Sequence, residues 1–134
     1  MEDNNTAPRK KSGFKKFLII LLLILIATGA GSVYYKYYFV FGEGVKSGKL
    51  NFAVKKGNIF KTYEGKLIQE GIGQGKTGGL ASYEFEFSIE DDSVFHVLEM
   101  NSGKYFDLHY KEFHGVIPWR GNTVYIVDKV INMR

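Results

Sequence analysis

From Phe17 to Tyr35 the chain runs 19 residues without a charged side chain, and Leu and Ile fill most of the first half of that run. As a helix, such a run is about 28 Å long at about 1.5 Å per residue, close to the roughly 30 Å hydrocarbon thickness of a bilayer. It is apolar all round, so it has no polar face to offer water and is a poor candidate for the core helix of a small domain. Tyr34, Tyr35, Tyr37 and Tyr38 close it, with Lys36 among them. Tyrosine rings suit the headgroup level, and a lysine there can reach water along its own stem. The Lys/Arg-rich flank tends to stay cytoplasmic, which predicts an N-terminus inside and the rest of the chain outside. A cleaved secretory signal shares the basic flank, and Ala27-Thr28-Gly29 or Thr28-Gly29-Ala30 would supply small-residue cleavage sites. The length of the run and the aromatic belt after it favour an uncleaved anchor. Both readings export the C-terminal part of the chain. Ala27, Gly29, Ala30 and Gly31 form a small-residue patch that would let another helix pack closely.

The span also accounts for the charge. The net charge is +4, and residues 1–16 hold five basic side chains (Arg9, Lys10, Lys11, Lys15, Lys16) against Glu2 and Asp3. Lys36 adds one more, and from Gly42 onward 12 basic residues meet 12 acidic ones. A neutral domain has no electrostatic footprint for a phosphate backbone, so nucleic acid is excluded as an expected partner. The chain has no Cys, which removes disulfides, cysteine-ligated zinc, a thiol nucleophile and a lipid-modified cysteine.

The exported part suits one small domain. Residues 39–48, with three glycines, read as a connector. Lys49 to Lys55 alternates, placing Leu50, Phe52 and Val54 on one face of a strand. Lys56-Gly57-Asn58 is turn chemistry, and Phe60–Gln69 is a second strand with Gly65 marking a bulge or sharp bend. Residues 70–79, EGIGQGKTGG, read as a glycine-rich loop. In SYEFEFSIE (82–90), Tyr83, Phe85, Phe87 and Ile89 face one way and Glu84, Glu86, Ser88 and Glu90 the other. Asp91, Asp92 and Ser93 are N-cap candidates for a short helix reaching about Met100, with Val94, Val97 and Leu98 on its apolar face. Lys104–Phe113 alternates with Phe106, Leu108 and Tyr110 inward; a turn comes next over Ile117–Asn122, then a last strand from Thr123 to Ile131. The order β-β-β-α-β-β predicts an OB-fold-like five-stranded barrel with one short helix, behind one N-terminal transmembrane α-helix. An open β-sandwich with one helix has the same order.

The motifs do not point to chemistry. Gly73-Gln74-Gly75-Lys76-Thr77-Gly78 matches G-x-G-x-x-G, but a strand pattern comes next where a dinucleotide site needs a helix. Glu70 stands where a P-loop would have its first glycine. His109 and His114, five apart, have opposite strand parity and would not converge on a metal. Glu84, Glu86 and Glu90 read as a solvated acidic face. No catalytic residue, cofactor site or metal site is expected. The candidates for interaction are Trp119 and Arg120, a Trp–Arg pair in a turn, and Tyr63, which with Glu64 stands just before the strand glycine.

The stretches GEGVKSGKL, KKGNIFKTYEGKL, YEFEFS, LHYKE and PWRGNTVYIVDKV resemble a family of small single-pass membrane proteins of Bacteroidetes-type bacteria, over roughly residues 40–130. Some members carry the name 6-phosphogluconate dehydrogenase. This chain lacks the length, the βαβ context and the lysine-bearing catalytic domain of such an enzyme. The resemblance implies a recurring membrane-anchored module and carries over no functional residue. The expected layout is a basic cytoplasmic tail (1–16), a transmembrane helix with its aromatic belt (17–38), a connector (39–48) and a periplasmic β-barrel (49–134) at the bacterial inner membrane. The expected role is an accessory or scaffold subunit with a protein partner in the inner membrane or periplasm. A small-ligand or glycan-binding module is the alternative, since OB barrels bind oligosaccharides on the face of strands two and three. An enzyme ranks last.

Overall fold

The computed structural model describes residues 12–71 and 81–134. The chain forms two compact units, Met1–Tyr34 and Tyr35–Arg134. Helix α1 (Ser12–Tyr37) spans 26 residues, buries none of them, and is long and apolar enough to cross a membrane. It starts before the apolar run, so residues 12–16, expected in the tail, are helical. Lys15 and Lys16 are good helix formers and nothing breaks the ladder there. The hydroxyls of Thr28 and Ser32 donate to the carbonyls of Ile24 and Thr28, each at 2.8 Å, which satisfies both polar groups inside the helix.

The second unit is a closed five-stranded barrel in the order β1-β2-β3-β5-β4, the expected OB-fold-like architecture. Strand β1 (Gly42–Lys56) is long enough to serve two neighbours. Its first half pairs with β4 (Tyr105–Glu112), from Gly42 opposite Glu112 to Lys49 opposite Tyr105. Its second half pairs with β2 (Thr62–Gly71). The expected connector is therefore strand from Gly42 onward. Pairing along β4 supplies its hydrogen bonds and overrides the weak strand preference of Gly42, Gly44 and Gly48. Strand β2 pairs antiparallel with β3 (Ala81–Ile89), and β4 with β5 (Tyr125–Met133). A short parallel contact, Ser88 opposite Ile126 and Ile89 opposite Val127, closes the ring.

A bulge between Leu50 and Phe52 corrects the alternation read for β1. One extra residue flips the parity, so Leu50 and Ala53 are buried while Val54 turns outward. Gly65, by contrast, marks no break: β2 runs through it in register with Phe87. A Cβ at Gly65 would sit 2.5 Å from Phe87 Cζ, so the glycine makes room for a ring in the core. Phe85, Phe87 and Ile89 point inward as expected, but Tyr83 is exposed and Ser88 is fully buried.

Helix α2 (Asp92–Glu99) is capped by Asp91, which accepts from the amides of Ser93 and Val94 at 2.7 and 3.2 Å. The hydroxyl of Ser93, and then these amides, hold the Asp91 carboxyl below its ordinary value. Leu98 is buried as expected and Val94 packs against the core, but Phe95 takes the inward place expected of Val97. The Phe95 ring stacks on Tyr63 at 4.0 Å between centroids, and Val97 is left to solvent. Residues 72–80 lie outside the described residues, and with them the Gly73–Gly78 motif.

Gly65→Ala forces a methyl into the Phe87 ring and should cost about 1–3 kcal/mol. Urea unfolding of the full chain in detergent checks this, with Gly44→Ala, whose nearest neighbour is the end of a tyrosine side chain, as the mild control.

Candidate functional site

One mouth of the barrel opens into a groove of about 570 Å³ between the β1–β2 connection (57–61) and the β4–β5 connection (113–124). Its walls include Tyr38 and Val40, Lys61 and Tyr63 at the start of β2, Glu90 after β3, and Lys111 at the end of β4. Phe113, Trp119 and Arg120 come from the β4–β5 connection. All these residues belong to the Tyr35–Arg134 unit.

That connection is 12 residues long, yet it is held in one shape by a buried acid. Glu64, only 4% exposed, accepts from Thr62 Oγ1 at 2.7 Å and from the Asn122 amide at 2.8 Å on one oxygen. Its other oxygen accepts from Ser88 Oγ at 2.7 Å. Ser88 Oγ in turn accepts from the Thr123 amide at 3.1 Å. Two strands and the loop thus share one satisfied polar cluster, the form in which a buried polar group rigidifies a fold. Gly121 lets the loop come this close, since a Cβ there would lie 2.2 Å from that of Ser88.

The three residues expected to mediate interaction all line the groove, in different roles. Arg120 is 8% exposed and works inside the loop. It donates from Nη1 to the Tyr37 carbonyl at 2.5 Å and from Nη2 to the Gly115 carbonyl at 3.2 Å. Its guanidinium lies 3.9 Å from the Phe113 ring centre. The Tyr37 carbonyl is one of the unpaired acceptors at the end of α1, so Arg120 caps it with a cation. Burial lowers the guanidinium pKa, and Glu90, 3.7 Å from Nε, works against that shift. Trp119 is the opposite case, 63% exposed with its ring edge-on to Phe60 at 6.1 Å. Tyr63 is half-buried, and its hydroxyl donates to Asp92 at 2.5 Å. That bond, more than burial, raises its pKa.

The remaining candidates stay apart. Ala27, Gly29, Ala30 and Gly31 are exposed along α1, and nothing described within this chain lies near a Cβ added to either glycine. At about 100° per residue, Ala27, Ala30 and Gly31 share one side of the helix while Gly29 lies on the other. His109 bonds Asp128 at 2.5 Å, and His114 stacks on Tyr35 at 4.9 Å. His96 pairs with Glu99 on α2. Among the described residues no three His, Asp or Glu side chains gather as a metal site. Glu84 and Glu86 flank Lys66 at 3.1 and 3.2 Å, so the acidic face carries its own counter-charge. Sequence reasoning set Glu64 beside Tyr63 without reading it as buried, and missed Ser88, Lys61 and Lys111. A glutamate at an inward strand position opposite a serine is the signal that could have tied Glu64 to Ser88. Comparison with protein-family models, curated proteins and solved structures returns no match.

Glu64→Ala leaves the Thr62 hydroxyl and the Asn122 amide without their acceptor, while Ser88 Oγ keeps Thr123 Oγ1 at 2.9 Å. Each orphaned group costs about 1–3 kcal/mol, so the loss should be about 2 kcal/mol or more. Glu64→Gln keeps one acceptor oxygen and should cost less. Chemical denaturation followed by Trp119 fluorescence measures both.

Proposed function

We propose that this protein is a membrane-anchored accessory or scaffold subunit. In this reading α1 crosses the bacterial inner membrane once, with the N-terminus in the cytoplasm. The OB-like barrel stands on the periplasmic face as part of an envelope or membrane protein complex. One observation carries the reading: only residues 38–41 separate the end of α1 from the start of β1. The Phe41 amide already bonds the Glu112 carbonyl at 2.8 Å, so the barrel begins where the helix stops. Four residues reach at most about 14 Å fully extended, which suits a domain that works against neighbours in the same membrane. The small side chains on α1 offer a face for a second transmembrane helix, and the neutral barrel carries no catalytic assignment.

Ligand binding is the second reading, favoured by the position of the groove. It lies between the β1–β2 and β4–β5 loops, where OB barrels take oligosaccharides and oligonucleotides, and the neutral domain argues for the sugar. Tyr83 supports a stacking platform on β3, being 58% exposed. Tyr63 supports it less, because its ring is occupied by Phe95.

Tagged full chain, crosslinked in native membranes and purified in mild detergent, separates the readings by mass spectrometry. The subunit reading predicts a discrete larger assembly with a stoichiometric membrane partner, weakened by Ala30→Leu with Gly31→Leu. A monodisperse lone protomer, unaffected by those changes, would contradict it. A Trp119 emission change on adding cell-envelope oligosaccharide would then favour ligand binding.

A further inference from the structure

The rim of the groove is apolar where a solvated loop should be polar. Ile59, at the tip of the β1–β2 connection, is 87% exposed, the adjacent Phe60 is exposed, and Phe60 meets the exposed ring of Trp119 from the facing loop. Phe39 and Phe41, on the segment that leads into β1, are exposed as well, but they pack around His114 and are not part of this rim. Large apolar side chains gathered on one surface mark a site that another body covers.

Charge and position say which body. Lys61 and Lys111 line the groove with Trp119, Lys111 also lying 3.9 Å from Asp128, and Lys55 reaches over the Tyr63 ring at 5.7 Å. Among the described residues Glu90 is the one acid lining the groove, and it faces Arg120. Basic side chains around protruding aliphatic and aromatic tips are the pattern of a surface that meets anionic lipid: the rings sit among the headgroups and the ammonium groups pair with phosphate. Tyr38, a wall of the same groove, is one residue beyond the end of α1. Consecutive Cα atoms are about 3.8 Å apart, so a helix that spans the bilayer delivers this wall to the headgroup layer.

We infer that the mouth of the barrel docks on an anionic phospholipid surface, with Ile59, Phe60 and Trp119 entering the headgroup region and Lys55, Lys61 and Lys111 facing lipid phosphates. This rests on the reading of α1 as a membrane anchor. Docking would fix the orientation of the barrel and leave the rest of its surface to partners.

Trp119 is the sole tryptophan, so its fluorescence reports on this surface alone. Full chain is reconstituted into vesicles of phosphatidylcholine, with and without phosphatidylglycerol, some carrying bromine on the acyl chains. Flotation after an alkaline wash reads the anchor, and Trp119 quenching reads the docking. Docking predicts that the chain floats and that Trp119 emission shifts to the blue. Trp119 should also be quenched by brominated lipid and shielded from aqueous acrylamide, more so with phosphatidylglycerol present. Ile59→Glu with Phe60→Glu should abolish the quenching while flotation and circular dichroism persist. Ile59→Leu with Phe60→Leu should restore it. A chain that floats with Trp119 unquenched and open to acrylamide would overturn the docking alone and leave the surface to a protein. A chain that fails to float would overturn the anchor and the docking together. Equal quenching in neutral and anionic vesicles would overturn the assignment to anionic lipid.

Discussion

A single buried acid organises the working end of this barrel. Glu64 gathers a hydroxyl from its own strand, a hydroxyl from β3 and an amide from the β4–β5 connection onto its two oxygens. Without that cluster, a connection of this length would be a collection of conformers. With it, Trp119 is presented outward and Arg120 is turned inward from the same turn. The divergence of two adjacent residues comes from the anchoring of Asn122 and Thr123 just beyond them, with Gly121 allowing the close approach to Ser88.

The second organising constraint is the absence of slack where the barrel begins. Arg120 holds the Tyr37 carbonyl, Phe41 is hydrogen-bonded to Glu112, and β1 pairs with β4 from Gly42. The groove wall, the loop and the first strand are thereby tied to one another. That economy supports the membrane-proximal role proposed above. It also brings the apolar tips of two loops to the end of the barrel where the chain enters.

The large features were readable because each rests on a local pattern. The apolar span comes from hydropathy, the helix α2 from Asp91 and its spacing, and the strands from their alternation. Five strands with a helix after the third are enough to suggest the barrel. What escaped depended on contacts distant in sequence. The bulge after Leu50 inverts the faces of β1, and nothing in the sequence KLNFAV marks it, because alternation looks perfect across it. The glycines at 42, 44 and 48 imitate a linker until β4 is there to pair with them. Gly65 signals a special position, but only the Phe87 ring shows that it is space, not a bend. Trp119, Arg120 and Tyr63 were singled out by residue type and do share one groove. That Arg120 is an internal brace and Trp119 an exposed tip could not be read from type. The burial of Glu64, which stands beside Tyr63, was the hardest to read, since a glutamate in a strand ordinarily faces water.

The central claim is that Glu64 locks the β4–β5 connection onto the barrel wall, and the amides of Asn122 and Thr123 report on it most directly. Hydrogen exchange of the full chain, read residue by residue, should find both amides protected to the same degree as the paired amides of β2 and β3. Their protection should be lost in Glu64→Ala even where the strands remain protected. Exchange of Asn122 and Thr123 at the rate of an open loop in the unmodified chain would contradict the account.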